Sequence, residues 1–156
     1  AGEGFEDVAA DSWYCGAVMT AQANGALDTE SGYFRPEENI TREEMAVMLV
    51  KALGFDSLAS ELQNESTPFS DVYENKGYIR LAYEFGIISG RGGGVFDPDG
   101  TALREDAASM MIRCYDKYNS FLDFIHGFYA FSSYSQRLGR RYGRCILRME
   151  QNGIFK

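Results

Sequence analysis

Two stretches of this chain, residues 5–54 and 69–118, carry the same succession of signals in the same order. A chain built that way folds as neighbouring units sharing a core, because no short unit can bury its apolar face alone. Phe5-Glu6-Asp7-Val8 opens the first unit and Phe69-Ser70-Asp71-Val72 the second. A helical pattern follows in each: Trp13, Ala17, Val18 and Ala21 behind a Ser12 N-cap, ending at Gly25, then Tyr78, Ile79, Ala82 and Phe85, ending at Gly86. Next comes a turn-rich link, Gly32-Tyr33-Phe34-Arg35-Pro36 and Gly94-Val95-Phe96-Asp97-Pro98. Proline keeps the residue before it out of the helical region.

The second helix of the first unit begins at Ile40-Thr41-Arg42-Glu43-Glu44. Thr41 is placed as N-cap and Glu44 can answer it three residues on, which makes a capping box. Met45, Met48, Leu49, Ala52 and Leu53 then follow the rhythm of one buried face, and Gly54 supplies a left-handed stop. In the second unit Ala102-Leu103-Arg104-Glu105-Asp106 opens a helix whose expected face is Ala107, Met110, Met111, Cys114 and Tyr115. Leu103 cannot cap, which costs roughly 1 kcal/mol unless Thr101 takes over. Met45, Leu49, Met111 and Cys114 are expected inside. Arg42 stands in a first turn where the helix dipole disfavours a cation. It therefore either points into solvent or helps hold an anion.

Composition restricts the partners. A net charge of -8 over 156 residues argues against nucleic acid or an anionic membrane as the ligand. No run of 18 apolar residues exists, so nothing in the sequence crosses a membrane as a helix. A start at Ala1 fits a mature secreted chain or a trimmed one alike. Cys15, Cys114 and Cys145 form no C-x-x-C pair and are read as buried free thiols. With His126 the only histidine, no His-based metal pair forms, and no cofactor is expected. Gly90-Arg91-Gly92-Gly93-Gly94 lacks the ending of a phosphate loop, and Asp97-Pro98-Asp99-Gly100 lacks the ligand spacing of a calcium loop. Both are read as turns. No nucleophile motif or catalytic carboxylate pair stands out. Trp13, Tyr14, Tyr33, Phe34, Tyr78 and Phe96 are read first as core, some of them lining a groove between units.

The order of Phe-x-Asp-Val opening, aromatic-led helix, Phe-x-Pro turn and Thr-Arg-x-Glu helix start resembles the S-layer homology module of bacterial surface proteins. Residues 1–55 would be the first module, 56–68 a linker, and 69–118 the second module, with Leu103 and Asp106 departing from the family's Thr and Glu. Residues 119–156 would be an incomplete third module or the start of a following domain; Leu122 to Phe131 can also be read as a buried strand. The resemblance implies a mainly α fold of tandem helix–turn–helix repeats, packed as a pseudo-threefold spindle with an incomplete third lobe. It implies a secreted protein at the cell surface, held to the wall by binding a pyruvylated secondary cell-wall polysaccharide. Arg42 and Arg104 would face that ligand, with Trp13, Gly25 and Gly86 beside them. A guanidinium suits the task, since its planar fork makes two charge-assisted bonds to one carboxylate. The alternatives are the opening part of a cell-surface glycoside hydrolase, or a surface-layer module that self-associates, the tail included.

Overall fold

The structure is a computed structural model; it describes residues 4–28 and 30–130, with side chains described as far as Asp123. It is mainly helical, with α1 at Cys15–Ala23, α2 at Arg42–Ala52, α3 at Asp56–Glu61, α4 at Lys76–Glu84 and α5 at Arg104–Ala130. No strand occurs among the described residues; extended pairing is limited to two isolated bridges, Thr41 with Thr101 and Gly92 with Val95.

The opening motif has the same job in both units. Asp7 accepts from the backbone N–H groups of Phe34 at 2.8 Å and Arg35 at 2.6 Å. Asp71 accepts from those of Phe96 at 2.9 Å and Asp97 at 2.7 Å. Alongside, the Glu6 N–H donates to the Gly32 carbonyl and the Ser70 N–H to the Gly94 carbonyl, each at 2.9 Å. The carboxylate thus locks the turn 26 or so residues downstream, where Arg35 and Asp97 both take left-handed backbone, φ 60° and 63°. Such a conformation is uncommon outside glycine and needs external fixing.

Helix ends follow the sequence where the signal is local. Thr41 and Glu44 form the expected capping box. At Gly25 and Gly86 (φ 70° and 73°) the stop is left-handed, and the following N–H reaches back to Ala21 and Ala82, each at 2.9 Å. Ser12 does not cap α1. Its hydroxyl donates to the Ala9 carbonyl, and the helix starts at Cys15 without a side-chain cap. At α5, Asp106 accepts weakly from the Leu103 N–H at 3.4 Å, which replaces part of the missing cap.

The core gathers Val50, Ile79, Leu81, Ile87 and Phe96, all fully buried, with Ala46, Leu53, Phe55, Ala59 and Met110 around them. The expected faces are rotated. On α2 the inward residues are Arg42, Met45, Ala46 and Val50, while Met48 and Leu49 are half-buried and Ala52 is exposed. On α5, Ala107, Met110 and Cys114 point in, but Met111 and Tyr115 lie in solvent. α2 is apolar at six consecutive positions, Met45 to Val50, so periodicity alone leaves its phase open and the partner surface decides it.

The stretch expected as a linker contains α3, whose Ala59 is fully buried. α5 runs on past 118 to Ala130. Residues 122–130 are therefore helical, not a strand, because the inward spacing of Met110, Cys114 and Phe121 continues the helical period. Phe121 stacks against Phe55 at 5.2 Å and Phe85 at 5.6 Å. Cys114 is buried and free as expected, whereas Cys15 is only half-buried. Cys145, and any association through residues 131–156, lie outside the described residues.

The carboxylates that lock the turns make stability depend on pH. Partial desolvation pushes the Asp71 carboxyl up, but the Phe96 and Asp97 amides, with its own, outweigh it and hold it below the usual range. Asp7 behaves alike through Phe34 and Arg35. In Glu44, desolvation again loses to the Thr41 amide and Arg35. Glu43 is the opposing case, raised chiefly by burial. A depressed carboxyl contributes stability above its unfolded value and loses it as pH falls through the folded one. The lowered Asp7, Asp71 and Glu44 carboxyls therefore each lose stability as pH falls below about 4, while the raised Glu43 acts the other way. Denaturation midpoints measured at descending pH are expected to drop there. The drop is expected to shrink in the Asp7→Asn, Asp71→Asn double variant, and an unchanged slope would count against the turn-locking role.

Candidate functional site at the seam between the units

The two units meet where α2 begins. The Arg42 N–H donates to the Gly100 carbonyl at 2.8 Å, Glu43 N–H to Pro98 at 3.0 Å, and Ala102 N–H to Ile40 at 3.0 Å. With Glu44 N–H on the Thr41 hydroxyl at 3.1 Å, the first turn of α2 has its orphan donors satisfied from within the protein. Those amides are therefore not open to an outside anion.

Arg42 resolves its awkward place in that first turn by pointing across the seam. Its side chain is 5% exposed. Nε donates to the Phe96 carbonyl at 3.1 Å, Nη2 to the Ser89 carbonyl at 3.0 Å, and Nη1 to Asp106 at 2.8 Å. The guanidinium carbon also lies 4.9 Å from the centre of the Phe96 ring. Three of the five N–H groups of an arginine are so engaged. The anion beside this helix start is Asp106, supplied by the second unit.

A second arginine, which the sequence reading passed over inside the glycine-rich turn, joins this cluster. Arg91 donates to Asp97 at 3.1 Å and lies 3.6 Å from the other oxygen of Asp106. Arg42 and Arg91 thus converge on the two carboxylate oxygens of Asp106, with Arg91 about half in solvent. The remaining candidates are dispersed. The Gly86 stop stands three residues before Ser89 and so reaches the seam through Arg42. Arg104 opens α5, two residues before Asp106, and is exposed with no ion-pair partner among the described residues. The N–H groups of Arg104, Glu105 and Asp106 likewise meet no acceptor there. Trp13 is 93% exposed, which overturns its reading as core, and its ring meets Tyr14 edge-on at 5.5 Å. Gly25 is an exposed helix stop at the end of α1. The structure therefore brings Arg42, Arg91, Asp106 and the loop after Gly86 to one place, with Arg104 at its edge, and leaves Trp13 and Gly25 outside it.

A separate cleft of about 420 Å³ opens on the first unit, lined by Leu27, Asp28, Phe34, Glu44, Met48 and Lys51 among others. Lys51 closes one side, paired with Asp28 at 3.4 Å and lying over the Tyr78 ring at 5.7 Å. Burial and the bond to Asp56 push the Tyr78 hydroxyl up to about 12, so it stays a neutral donor. Among the described residues no cluster of His, Cys, Asp and Glu has the makings of a metal site, and no helix is long and apolar enough to cross a membrane.

Relatives agree with the architecture. A cell surface protein of Thermoanaerobacter kivui is 32% identical over 97% of this chain, which corresponds to 19% of that protein. The exoglucanase XynX of Acetivibrio thermocellus is 31% identical over 74% of the chain and 11% of its own length. The S-layer protein sap of Bacillus anthracis is 30% identical over 74% of the chain and 14% of its own length. The chain thus spans a fifth or less of each of these relatives, and the match to the enzyme covers a segment small beside the whole. The names of the first and third point to the cell surface. The family model for the S-layer homology domain matches residues 4–46 and 68–108, more than half of the chain and both repeats, and the chain belongs to that family.

Proposed function

We propose that this chain holds a surface polypeptide to the bacterial cell wall by binding a pyruvylated secondary wall polysaccharide at its seams. Arg104 and Arg91 read the acidic substituent, Arg42 backs them from inside the seam with the loop after Gly86 beside it, and Trp13 and Gly25, away from the seam, offer contacts to further sugars along the polymer. The observation that carries the reading is Arg104: an exposed guanidinium at a helix start whose first amides are open. Donors and charge there suit a carboxylate. An acidic protein approaching an acidic polymer meets net repulsion, so recognition rests on such local cationic points.

Each charged hydrogen bond contributes roughly 1.5–3 kcal/mol. Arg104→Ala is therefore expected to weaken sedimentation with wall sacculi by about tenfold or more. Arg91→Ala is expected to act in the same direction, and Arg104→Lys to recover only part, because an ammonium lacks the planar fork. Binding is expected to disappear from sacculi stripped of the attached polymer. Full binding by the Arg91→Ala, Arg104→Ala double variant would remove the arginine site. The second reading, the opening of a surface glycoside hydrolase, draws on relatives named exoglucanase and amylopullulanase. Under the anchoring proposal residues 1–156 turn over no glycan.

A further inference from the structure

Arg91, the seam arginine that reaches solvent, already holds carboxylates of this chain. Its Nε donates to Asp97 at 3.1 Å and its Nη2 lies 3.6 Å from Asp106. Those two nitrogens share one edge of the guanidinium, an edge that can fork onto a single carboxylate. The two acids are not equivalent. Asp106 also holds the buried Arg42 at 2.8 Å, so it is committed to the seam. The Asp97 side chain is 44% exposed, and Arg91 is its ion-pair partner among the described residues. Its carboxylate lies in room left by a glycine: a Cβ on Gly100 would sit 2.6 Å from Asp97 Cγ and 2.9 Å from Oδ1. The backbone under Arg91 is fixed. Its N–H donates to the Val95 carbonyl at 2.8 Å, and a Cβ on the preceding Gly90 would meet that carbonyl oxygen at 2.7 Å. A change of partner is therefore a turn of the Arg91 side chain that leaves the loop in place. The first unit has the same kind of triangle with its members moved. Arg35 stands at the Asp97 position and pairs with Glu38, at the Gly100 position, at 3.3 Å, and with Glu44, the counterpart of Asp106.

We propose that Asp97 occupies, in the free protein, the place of the ligand's acidic group on Arg91, so that binding exchanges one carboxylate for another. The inference rests on the polysaccharide reading and adds to it how the site selects. A carboxylate that takes both N–H groups of one edge replaces the single bond to Asp97, and Asp106 keeps Arg42 throughout. A neutral polymer offers no such exchange, so Arg91 stays with Asp97 and that polymer gains nothing there. Asp97 is thus a specificity-determining residue: it holds the arginine back from sugars and yields it to an acid. The pair is exposed on both sides, and such pairs are weak, so its competition lowers affinity by no more than about two- to fivefold.

Asp97→Asn tests it. The change removes the competing charge and suits the left-handed backbone at this position, which asparagine adopts more readily than most residues. Titration calorimetry of the full chain with wall polysaccharide released from sacculi is expected to show binding about two- to fivefold tighter than wild type. The gain is expected to vanish on polymer whose acidic substituents have first been removed by mild acid hydrolysis, and again in an Arg91→Ala background. Gly100→Ala, which pushes the Asp97 carboxylate off its place, is expected to act in the same direction and stands in should Asp97→Asn fail to fold. If Arg91→Ala weakens binding while Asp97→Asn binds as wild type, the exchange is overturned and the polysaccharide reading stands. A gain that persists without Arg91 is general relief of repulsion between acids, and it overturns the exchange as well. Full binding by Arg91→Ala does the same, and full binding by the Arg91→Ala, Arg104→Ala double variant removes the reading beneath it.

Discussion

Arg42→Ala is expected to destabilise the protein by about 3–5 kcal/mol, the usual cost of breaking a buried ion pair by removing one partner. The residue is an arginine in a helix first turn, where exposed arginines ordinarily matter little. Here its side chain is closed off from water and joins α2 to three separate parts of the second unit: the Ser89 and Phe96 carbonyls and the Asp106 carboxylate. Truncation takes its donor from the carbonyl of the buried Phe96, costs Asp106 its shortest ion pair and removes the stacking over Phe96. Arg42→Lys keeps the charge yet cannot reach three acceptors at once, so it is expected to recover only part. Urea denaturation with an unchanged slope and a lower midpoint is the readout. A loss within about 0.5 kcal/mol, the range of an ordinary surface change, would falsify the seam role. Because the fold depends on Arg42, wall-binding tests belong on Arg91 and Arg104 instead.

Much of this architecture was legible from local signals. The Thr41–Glu44 box lies within four residues, and the glycine stops each act on the preceding turn. The repeat itself showed that two like units must share a core. What failed to show was phase and partnership. Met48 and Ala52 were expected inside α2, yet Ala46 and Val50 are, because six apolar residues in a row fit any phase. Met111 was expected inside because it lies four residues after Ala107 on one helical face, yet the buried face narrows to Ala107, Met110 and Cys114 and leaves Met111 in solvent. α3 was missed because its six residues carry too few turns to display a period. Arg91 drew no attention among glycines, since its partners Asp97 and Asp106 become neighbours only once the loop closes. Trp13 was placed inside by type, and only the fold reveals that nothing described covers it. Pairings that span the seam are, in general, written in no single stretch of the chain.

Gly77→Ala separates local propensity from packing more sharply than any other change. Gly77 lies in the first turn of α4, and alanine is favoured over glycine in a helix by about 1 kcal/mol. Propensity alone therefore predicts a more stable protein. Packing predicts the reverse. A Cβ on Gly77 would sit 1.8 Å from the carbonyl oxygen of Ala59 and 2.8 Å from its carbon. Those atoms are backbone of α3, so no side chain can rotate away. α3 and α4 must separate, opening a gap beside the fully buried Ala59 and Ile79 and straining the bond from the Gly77 N–H to Gln63 at 3.1 Å. Overpacking a close contact typically costs about 1–3 kcal/mol, and an immovable obstacle places this one at or above the upper end. Packing wins. Gly16→Ala is the matched control: the residue lies in α1, and a Cβ there meets nothing within 4 Å. That change is expected to raise stability by up to about 1 kcal/mol. Equilibrium denaturation of the two variants should thus move in opposite directions. Equal stabilisation of both would mean that α3 does not press on α4 at Gly77.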